Sequence, residues 1–252
     1  AEKGIFSFKL HWKQEGDVPQ ISGHIGSVAN VIPGEAELTV GGKTYRAEGI
    51  MGHAAMPEVA ENALSRLMSL IDEEVSHPFV TAYNELIGMD YNGQRIGLGF
   101  EDEVSGKLTL NAAILEADED GITLTCNVRY PVTLDYQDIT DSLKEALEDY
   151  PLDLELYPPV VPLYFELDHP LIKTLSDVYL ELTGDTTPPI AIGGGTYARS
   201  VPNTVAFGPS FPGEQGNAHQ KNENISLKTL EAACEIYAHS LMRMAEEASQ
   251  DH

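Results

Sequence analysis

Polar and hydrophobic residues alternate along several segments of the chain, and this period of two predicts its strands. Residues 4–12 alternate imperfectly, as in a half-buried strand. The strongest strand signal is residues 107–130, where two alternating runs flank the turn Asp120-Gly121. The pattern places five side chains of the second run on one face: Ile122, Leu124, Cys126, Val128 and Tyr130. Shorter strands are predicted on either side of Pro33-Gly34, at residues 152–157 and at residues 204–208.

Hydrophobic residues recur at helical spacing in four other segments. The first helix is predicted over residues 56–75, with Pro57 at its first position. The others are predicted over about 136–149, from Pro170 to Gly184, and from an N-cap at Ser226 to about Ala248.

The order of these elements predicts a mixture of α+β and α/β structure in two domains. Residues 1–160 follow the order strand, helix, hairpin, helix, strand, which indicates an antiparallel sheet with helices on one face. Residues 161–252 follow the order helix, strand, loop, strand, helix, which is typical of the closing part of an α/β domain.

Composition excludes several classes of partner. Forty acidic residues against fifteen basic ones give a formal net charge of -25, which repels nucleic acid and anionic lipid. The sequence has no apolar stretch of the roughly 18–20 residues that span a bilayer, so no membrane partner is expected. Cys126 and Cys234 both lie in apolar patterns, and two buried free thiols fit a reducing, cytoplasmic location.

The stretch IGGGTYARS at residues 192–200 is the first candidate for chemistry. It lacks the Lys-Ser/Thr pair of a phosphate loop and the GxGxxG spacing of a dinucleotide site. Bare glycine backbone lets N–H groups approach a ligand, and Arg199 can then pair with a carboxylate through two hydrogen bonds. The residues therefore favour a carboxylate clamp, with a plain surface loop as the alternative.

Two of the eight histidines are candidate functional residues because of the sequence around them. His53 lies in GHAAMPE, where small neighbours before a predicted helix leave the imidazole uncrowded. His219 lies in GNAHQKNE, in a loop of the kind that often carries functional side chains. Taken singly, each histidine is more typical of a structural or exposed residue, because the sequence has no HExxH, HxD, HxH or CxxC motif.

Several ordered blocks resemble the dinuclear zinc exopeptidases related to aminoacylase and carnosinase, and in particular their dipeptidase V-like branch. GHAAMPEVAENAL is similar to the histidine motif of that family, and NVIPGEAEL is similar to a strand of its lid domain. IGGGTYARSVPNTVAFGPSFPG, followed by AHQKNENISLKTL, resembles the C-terminal signature of the branch. The opening AEKGIFSFKLHW resembles the junction between catalytic domain and lid.

The resemblance implies a lid domain at residues 1–160, followed by the C-terminal part of a catalytic domain at residues 161–252. It implies a dipeptide substrate, two zinc ions with a bridging water, a glutamate general base and a homodimer that can form through the lid. His219 matches the last zinc ligand of the family.

The resemblance also assigns roles to residues that would contact the substrate. Arg199 matches the arginine that holds the C-terminal carboxylate, and His53 matches the lid histidine that stabilises the oxyanion. Asn30 matches a lid asparagine near the substrate, and Gly194 and Gly195 would leave room for the dipeptide.

The chain departs from the family in its metal ligands. The H-x-D, lone aspartate and Glu-Glu motifs of the family find no match, and Glu73-Glu74 is interpreted as solvated charge at a helix end. One histidine cannot hold two zinc ions, because each ion needs about four donors. The chain also begins Ala-Glu-Lys-Gly, without an initiator methionine.

Three hypotheses are compatible with this departure. In the first, the chain is the C-terminal part of a zinc dipeptidase and is inactive alone. In the second, it is a non-catalytic module that binds peptides or dimerises. In the third, it is an ordinary acidic α+β protein that carries remnants of the motifs.

Overall fold

The computed structural model describes residues 1–214 and 222–250, which contain strands, α-helices and two 3-10 turns. The strands are β1 (Gly4–Lys13), β2 (Ile21–Ile25), β3 (Val31–Ile32), β4 (Glu35–Val40), β5 (Lys43–Glu48), β6 (Gly52–His53), β7 (Glu101–Asp102), β8 (Gly106–Lys107), β9 (Thr109–Ala117), β10 (Gly121–Tyr130) and β11 (Asp153–Leu156). The helices are α1 (Ala63–Glu74), α2 (Pro78–Leu86), α3 (Tyr136–Leu147), α4 (Pro170–Thr183) and α5 (Leu227–Gln250).

The chain divides into two compact units. The first comprises Ala1–Leu163 with Ala191–Gly195, and the second comprises Tyr164–Ile190 with Thr196–His252. The glycine run therefore belongs to the first unit, although the order of elements predicts it in the segment 161–252. The roles of lid and catalytic segment stay predictions for these parts of the chain.

The first unit is built on one seven-stranded sheet with the order β11-β1-β10-β9-β2-β4-β5. Every pairing in it is antiparallel, and β1 pairs with β10 from Gly4↔Tyr130 to Lys13↔Gly121. This confirms the predicted sheet and the predicted hairpin of β9 and β10. The hydrophobic core joins one face of β1 and β10 to the buried side of α1 through Phe6, Phe8, Leu10, Ile122, Leu124, Cys126, Val128, Tyr130, Leu64, Leu67, Met68 and Ile71.

The predicted first helix begins later than the sequence indicates. Pro57 starts a separate 3-10 turn, Pro57–Val59, and α1 starts only at Ala63. The reason is a local pairing, since Glu61 and Ile50 exchange two backbone hydrogen bonds of 2.9 Å and keep the chain extended there. The side chain of Asn62 then caps α1 by accepting the N–H groups of its first turn. Helix α2, which the pattern did not predict, comes directly after α1.

The helices of the second unit agree with the prediction, whereas its strand does not. Helix α4 runs from Pro170 to Thr183 and closes at Gly184, and the Ser226 hydroxyl accepts the Thr229 N–H at 3.0 Å before α5. The predicted strand at residues 204–208 is wrong, because a strand needs a partner to complete its ladder of hydrogen bonds, and this segment pairs with no strand in residues 1–214 and 222–250. None of the helices in the described ranges combines the length and apolar composition needed to cross a membrane.

The two cysteines differ in burial. Cys126 lies in the core, as predicted, and its burial raises the pKa of the thiol. The prediction that Cys234 is buried is wrong, because this thiol is exposed. The buried residues of α5 include Ala233, Ile236 and Ser240, which share one face of the helix. Cys234 follows Ala233 and is turned about 100° from it around the helix axis, so it lies off that buried face.

Candidate functional site

The face of the sheet opposite the core carries a row of buried polar side chains at β9 and β10. Thr109 lies opposite Arg129, and Asn111 lies opposite Asn127, so all four point to the same face. Each of them is at most 8% exposed. Buried polar groups are almost always hydrogen-bonded, and here their partners include loops that carry the residues predicted from sequence.

His53 and Asn30 are brought together by a two-stranded ladder on this face. Strand β6 pairs with β3 so that His53 lies opposite Val31. One residue further along, the N–H of Ala54 donates to the carbonyl oxygen of Asn30 at 2.9 Å. Two predicted site residues, far apart in sequence, are thus neighbours in the fold.

The imidazole of His53 is held in a defined tautomer. Its Nδ1 accepts the backbone N–H of Ala55 at 3.1 Å. A neutral histidine carries one ring proton, so a ring that accepts at Nδ1 carries that proton at Nε2. The half-buried His53 side chain therefore presents Nε2–H as a hydrogen-bond donor.

Asn111 holds the segment that contains Asn30. Its side-chain Nδ2 donates to the carbonyl oxygens of Ala29 at 3.1 Å and Val31 at 2.9 Å, one on each side of Asn30. Asn111 itself is only 2% exposed, so these bonds satisfy a buried donor. Its Oδ1 accepts from the side chain of Asn62 at 3.3 Å.

Asn62 connects this network to the start of α1. Its Oδ1 accepts the N–H groups of Leu64 and Ser65 at 2.9 and 3.3 Å, and its Nδ2 also donates to the Ala112 carbonyl at 2.8 Å. The backbone N–H of Asn62 donates to the hydroxyl of Tyr91 at 2.9 Å. One side chain therefore both caps the helix and ties it to β9.

Asn62, Thr109 and Asn111 did not appear among the candidates from sequence. The signals that could have found them were weak but present. Asn62 lies inside the helix predicted over residues 56–75, but asparagine is a preferred cap, and the helical spacing of Leu64, Leu67 and Ile71 follows it. Thr109 and Asn111 interrupt the apolar run LTLNAAIL, and a buried amide there requires specific partners.

The first glycine of the 193–195 run lies against the loop of His53. The carbonyl of Gly193 accepts from Nη1 of buried Arg129 at 3.1 Å, and a β-carbon on Gly193 would come within 2.8 Å of the Ala55 β-carbon. Gly194 and Gly195 were the predicted substrate-facing residues. A β-carbon on Gly194 would meet nothing within 4 Å, and Gly195 is exposed.

Arg199 belongs to the second unit. It lies in the 3-10 turn Tyr197–Ser200, where the hydroxyl of Thr196 accepts the N–H of Ala198 at 3.1 Å. The Arg199 side chain is half-buried. Its role in holding a carboxylate stays a prediction. His219, the predicted zinc ligand, lies outside the described residues.

The described residues do not fit a dinuclear metal site. Across residues 1–214 and 222–250, no group of three or more histidine, cysteine, aspartate or glutamate side chains is arranged to hold a metal ion. Two zinc ions need about four donors each. The side chains of these two ranges therefore cannot by themselves hold the pair of ions that the resemblance implies.

Comparison with known proteins gives matches along most of the chain. The model of Peptidase family M20/M25/M40 matches residues 8–243. The protein named "Putative dipeptidase YtjP" from Bacillus subtilis (strain 168) is 36% identical over 217 residues, which cover 84% of this chain and 46% of that protein. A protein named "Putative dipeptidase" from Staphylococcus epidermidis is 31% identical over 223 residues, covering 86% and 48%. The chain thus spans about half the length of the curated relatives it matches.

Two solved structures resemble the chain more distantly. Aminoacylhistidine dipeptidase from Vibrio alginolyticus gives a TM-score of 0.41 at 15% identity, covering 77% of this chain and 51% of that one. The M20 family metallo-carboxypeptidase Sso-CP2 from Sulfolobus solfataricus gives a TM-score of 0.45 at 13% identity, covering 95% and 58%.

Proposed function

The chain belongs to peptidase family M20/M25/M40, and on that premise we propose that it acts as part of a dipeptidase. The reaction is hydrolysis of the peptide bond in small dipeptides that carry a free C-terminal carboxylate. The observation that carries this proposal is the bond from the Ala55 N–H to Nδ1 of His53, which makes Nε2–H a donor. The names of relatives that are about 30–36% identical support the substrate class.

His53 stabilises the negative charge that develops during hydrolysis. Attack on a peptide carbonyl places charge on its oxygen, and a preorganised N–H donor lowers the energy of that state more than that of the substrate. The Nε2–H of His53 is such a donor, because its ring is oriented by the Ala55 N–H. Asn30, its neighbour on the β3–β6 ladder, contributes an exposed side-chain amide that can bind the substrate.

Arg199 binds the C-terminal carboxylate of the dipeptide. A guanidinium offers two parallel donors to a carboxylate, and this geometry distinguishes a free carboxylate from an amide. Gly194 and Gly195 present backbone without side chains to the substrate. Gly194 has the space for this role, since even an added β-carbon would contact nothing within 4 Å.

The metal centre of the proposed enzyme is completed by residues beyond those described. His219 would be one ligand, and zinc would supply a polarised water and a Lewis acid when bound. We propose that the 252-residue chain alone hydrolyses no dipeptide, since its described side chains include no metal-binding group of three. A module that binds peptides or forms a homodimer through the first unit, without catalysis, is the second candidate, and the same observation favours it.

The location proposed for this activity is the cytoplasm. Both cysteines are free, and Cys234 is exposed on α5. A reducing compartment keeps such thiols from forming mixed disulfides.

The proposal is tested by assaying the gene product that carries this chain, beside the 252-residue chain alone, with unmodified and C-terminally amidated dipeptides and added zinc. Cleavage of unmodified dipeptides by the gene product alone supports a dipeptidase. Binding of dipeptides by both proteins without cleavage by either supports the non-catalytic module. Cleavage by the isolated chain, with two bound zinc ions by elemental analysis, contradicts the proposal that the chain alone lacks a complete metal centre.

A further inference from the structure

We propose that Thr109 and Asn111 are positioning residues, which fix the tautomer of His53 and the place of Asn30. This inference rests on the proposed function of His53. It adds that the site is set by two buried side chains of β9, neither of which contacts the substrate.

Thr109 acts on the peptide group between Ala54 and Ala55. The hydroxyl of Thr109 donates to the carbonyl oxygen of Ala54 at 3.2 Å. The N–H of that same peptide group belongs to Ala55 and donates to Nδ1 of His53 at 3.1 Å. Because a peptide group is planar, holding its oxygen also sets the direction of its N–H. Thr109 thus orients the hydrogen bond that selects the Nε2–H tautomer.

Asn111 acts on the other strand of the ladder. Its Nδ2 spans the carbonyls of Ala29 and Val31, so the backbone on both sides of Asn30 is tied to β9. The chain also approaches β9 closely at Gly26, where a β-carbon would lie 2.0 Å from the carbonyl oxygen of Ala113. The carbonyl of Asn30 in turn accepts the Ala54 N–H, which links the two anchors, Thr109 and Asn111.

The two anchors are themselves rigid. Thr109 and Asn111 alternate on one face of β9, where the pairing with β10 fixes their direction. Asn62 braces Asn111 by donating to its Oδ1 at 3.3 Å and to the adjacent Ala112 carbonyl at 2.8 Å. Side chains locked by packing and by outer hydrogen bonds can hold a functional group in one geometry.

The test measures the His53 ring directly in the 252-residue chain, by NMR of ¹⁵N-labelled histidine. At about pH 8.5, above the ordinary histidine pKa of about 6.5, a single tautomer separates the two ring nitrogen resonances, whereas exchange between tautomers brings them together. Thr109→Val keeps the shape and removes the hydroxyl donor. We expect this variant, and Asn111→Ala, to reduce the separation between the two ring nitrogen resonances of His53.

Two matched controls separate positioning from general loosening of the fold. Thr125→Val makes the same change on the same face of the sheet, at a residue that lines an open cleft of about 510 Å³. Gln14→Ala removes another buried amide whose Nε2 donates to two backbone carbonyls, those of Ile21 and Asp118. Neither control is expected to change the His53 resonances.

The inference is wrong if the two His53 ring nitrogen resonances of Thr109→Val are as far apart as in wild type. It is also wrong if Thr125→Val reduces their separation as much as Thr109→Val does. If Asn111→Ala does not fold, the near-isosteric Thr109→Val decides alone. The measurement requires no catalysis. A result in which Thr109→Val narrows the separation while His53→Ala leaves dipeptide hydrolysis intact would therefore refute the proposed function but not the positioning.

Discussion

Gly193 lies so close to Ala55 that a β-carbon on the glycine would come within 2.8 Å of the alanine β-carbon and 3.3 Å of its carbonyl oxygen. The first position of the glycine run is therefore required by packing against the loop of His53. At Gly194 the same added atom would meet nothing within 4 Å. Close packing thus excludes a side chain at Gly193, whereas the space around Gly194 would admit one.

Gly193→Ala is expected to destabilise the chain by about 1–3 kcal/mol, because overpacking forces the 53–55 loop or the glycine loop to move. Gly194→Ala is expected to stay within about 0.5 kcal/mol of wild type. Urea denaturation followed by circular dichroism measures both values. Equal stability of the two variants would show that the contact with Ala55 relaxes without cost.

His53→Ala is expected to lower kcat for dipeptide hydrolysis by the gene product about 10²–10³-fold, the usual effect of losing one oxyanion donor. KM should change little, because the lost hydrogen bond forms mainly in the transition state. His24→Ala is the control, since His24 is an exposed histidine of the same unit, 3.8 Å from Glu116. A loss confined to KM would assign His53 to substrate binding instead.

Arg199→Ala is expected to raise KM for dipeptides with a free carboxylate by about 10–100-fold, corresponding to a charge-assisted bond of about 1.5–3 kcal/mol. Arg199→Lys should recover only part of this loss, because lysine lacks the planar fork. Arg243→Ala serves as the control, since that guanidinium pairs with Glu181 at 2.6 Å in the same unit. If amidated dipeptides are affected as strongly, Arg199 does not bind the carboxylate.

Asn62→Ala is expected to destabilise the chain by about 2–4 kcal/mol. The loss of a cap typically costs about 1 kcal/mol, and the buried partners of the amide lose their donor as well. Asp135→Ala is a matched change, because Asp135 caps α3 by accepting the Gln137 N–H at 2.7 Å but is exposed. It should cost about 1 kcal/mol. Equal losses in urea denaturation would mean that the bonds to β9 contribute nothing.

His77 is expected to make stability depend on pH. This residue is fully buried and caps α2 by accepting the Phe79 N–H at 3.2 Å, and burial lowers the pKa of its imidazole. The folded state therefore binds fewer protons than the unfolded state. The free energy of unfolding should be highest above the unfolded histidine pKa of about 6.5 and fall as the pH drops toward the folded pKa, by at most about 1.4 kcal/mol per pH unit.

His77→Asn keeps a cap acceptor and removes the ionisable ring, so its unfolding free energy should vary less than that of wild type between about pH 5 and 7.5. His169→Asn is the control, because His169 makes the same cap contact with Leu171 at 3.2 Å in an exposed position. An unchanged slope in His77→Asn would place the pH dependence elsewhere in the chain.

Much of the architecture could be predicted from the sequence, because it depends on short-range patterns. The alternation in β10 identified its buried face, and the helical spacing identified α3, α4 and α5. The motif around His53 likewise depends only on neighbouring residues, and it led to the family that the comparison confirmed.

The sequence failed where a distant segment decides the local structure. Because Glu61 pairs with Ile50, α1 begins only at Ala63, and the hydrophobic periodicity of the sequence does not reveal that pairing. The apolar run at residues 204–208 looked like a strand, but a strand exists only with a partner. The exposure of Cys234 depends on which side of α5 is covered.

Periodicity and motif are properties of neighbouring residues, and they predicted β1, β3, β4, β9, β10, β11, four of the five helices, and His53 and Asn30 as candidates. Contacts between distant segments make these two residues neighbours, pack Gly193 against Ala55, and let Thr109 and Asn111 hold the pair from β9. The physical reason is that buried polar groups must find hydrogen-bond partners, and folding brings those partners from segments far apart in the chain.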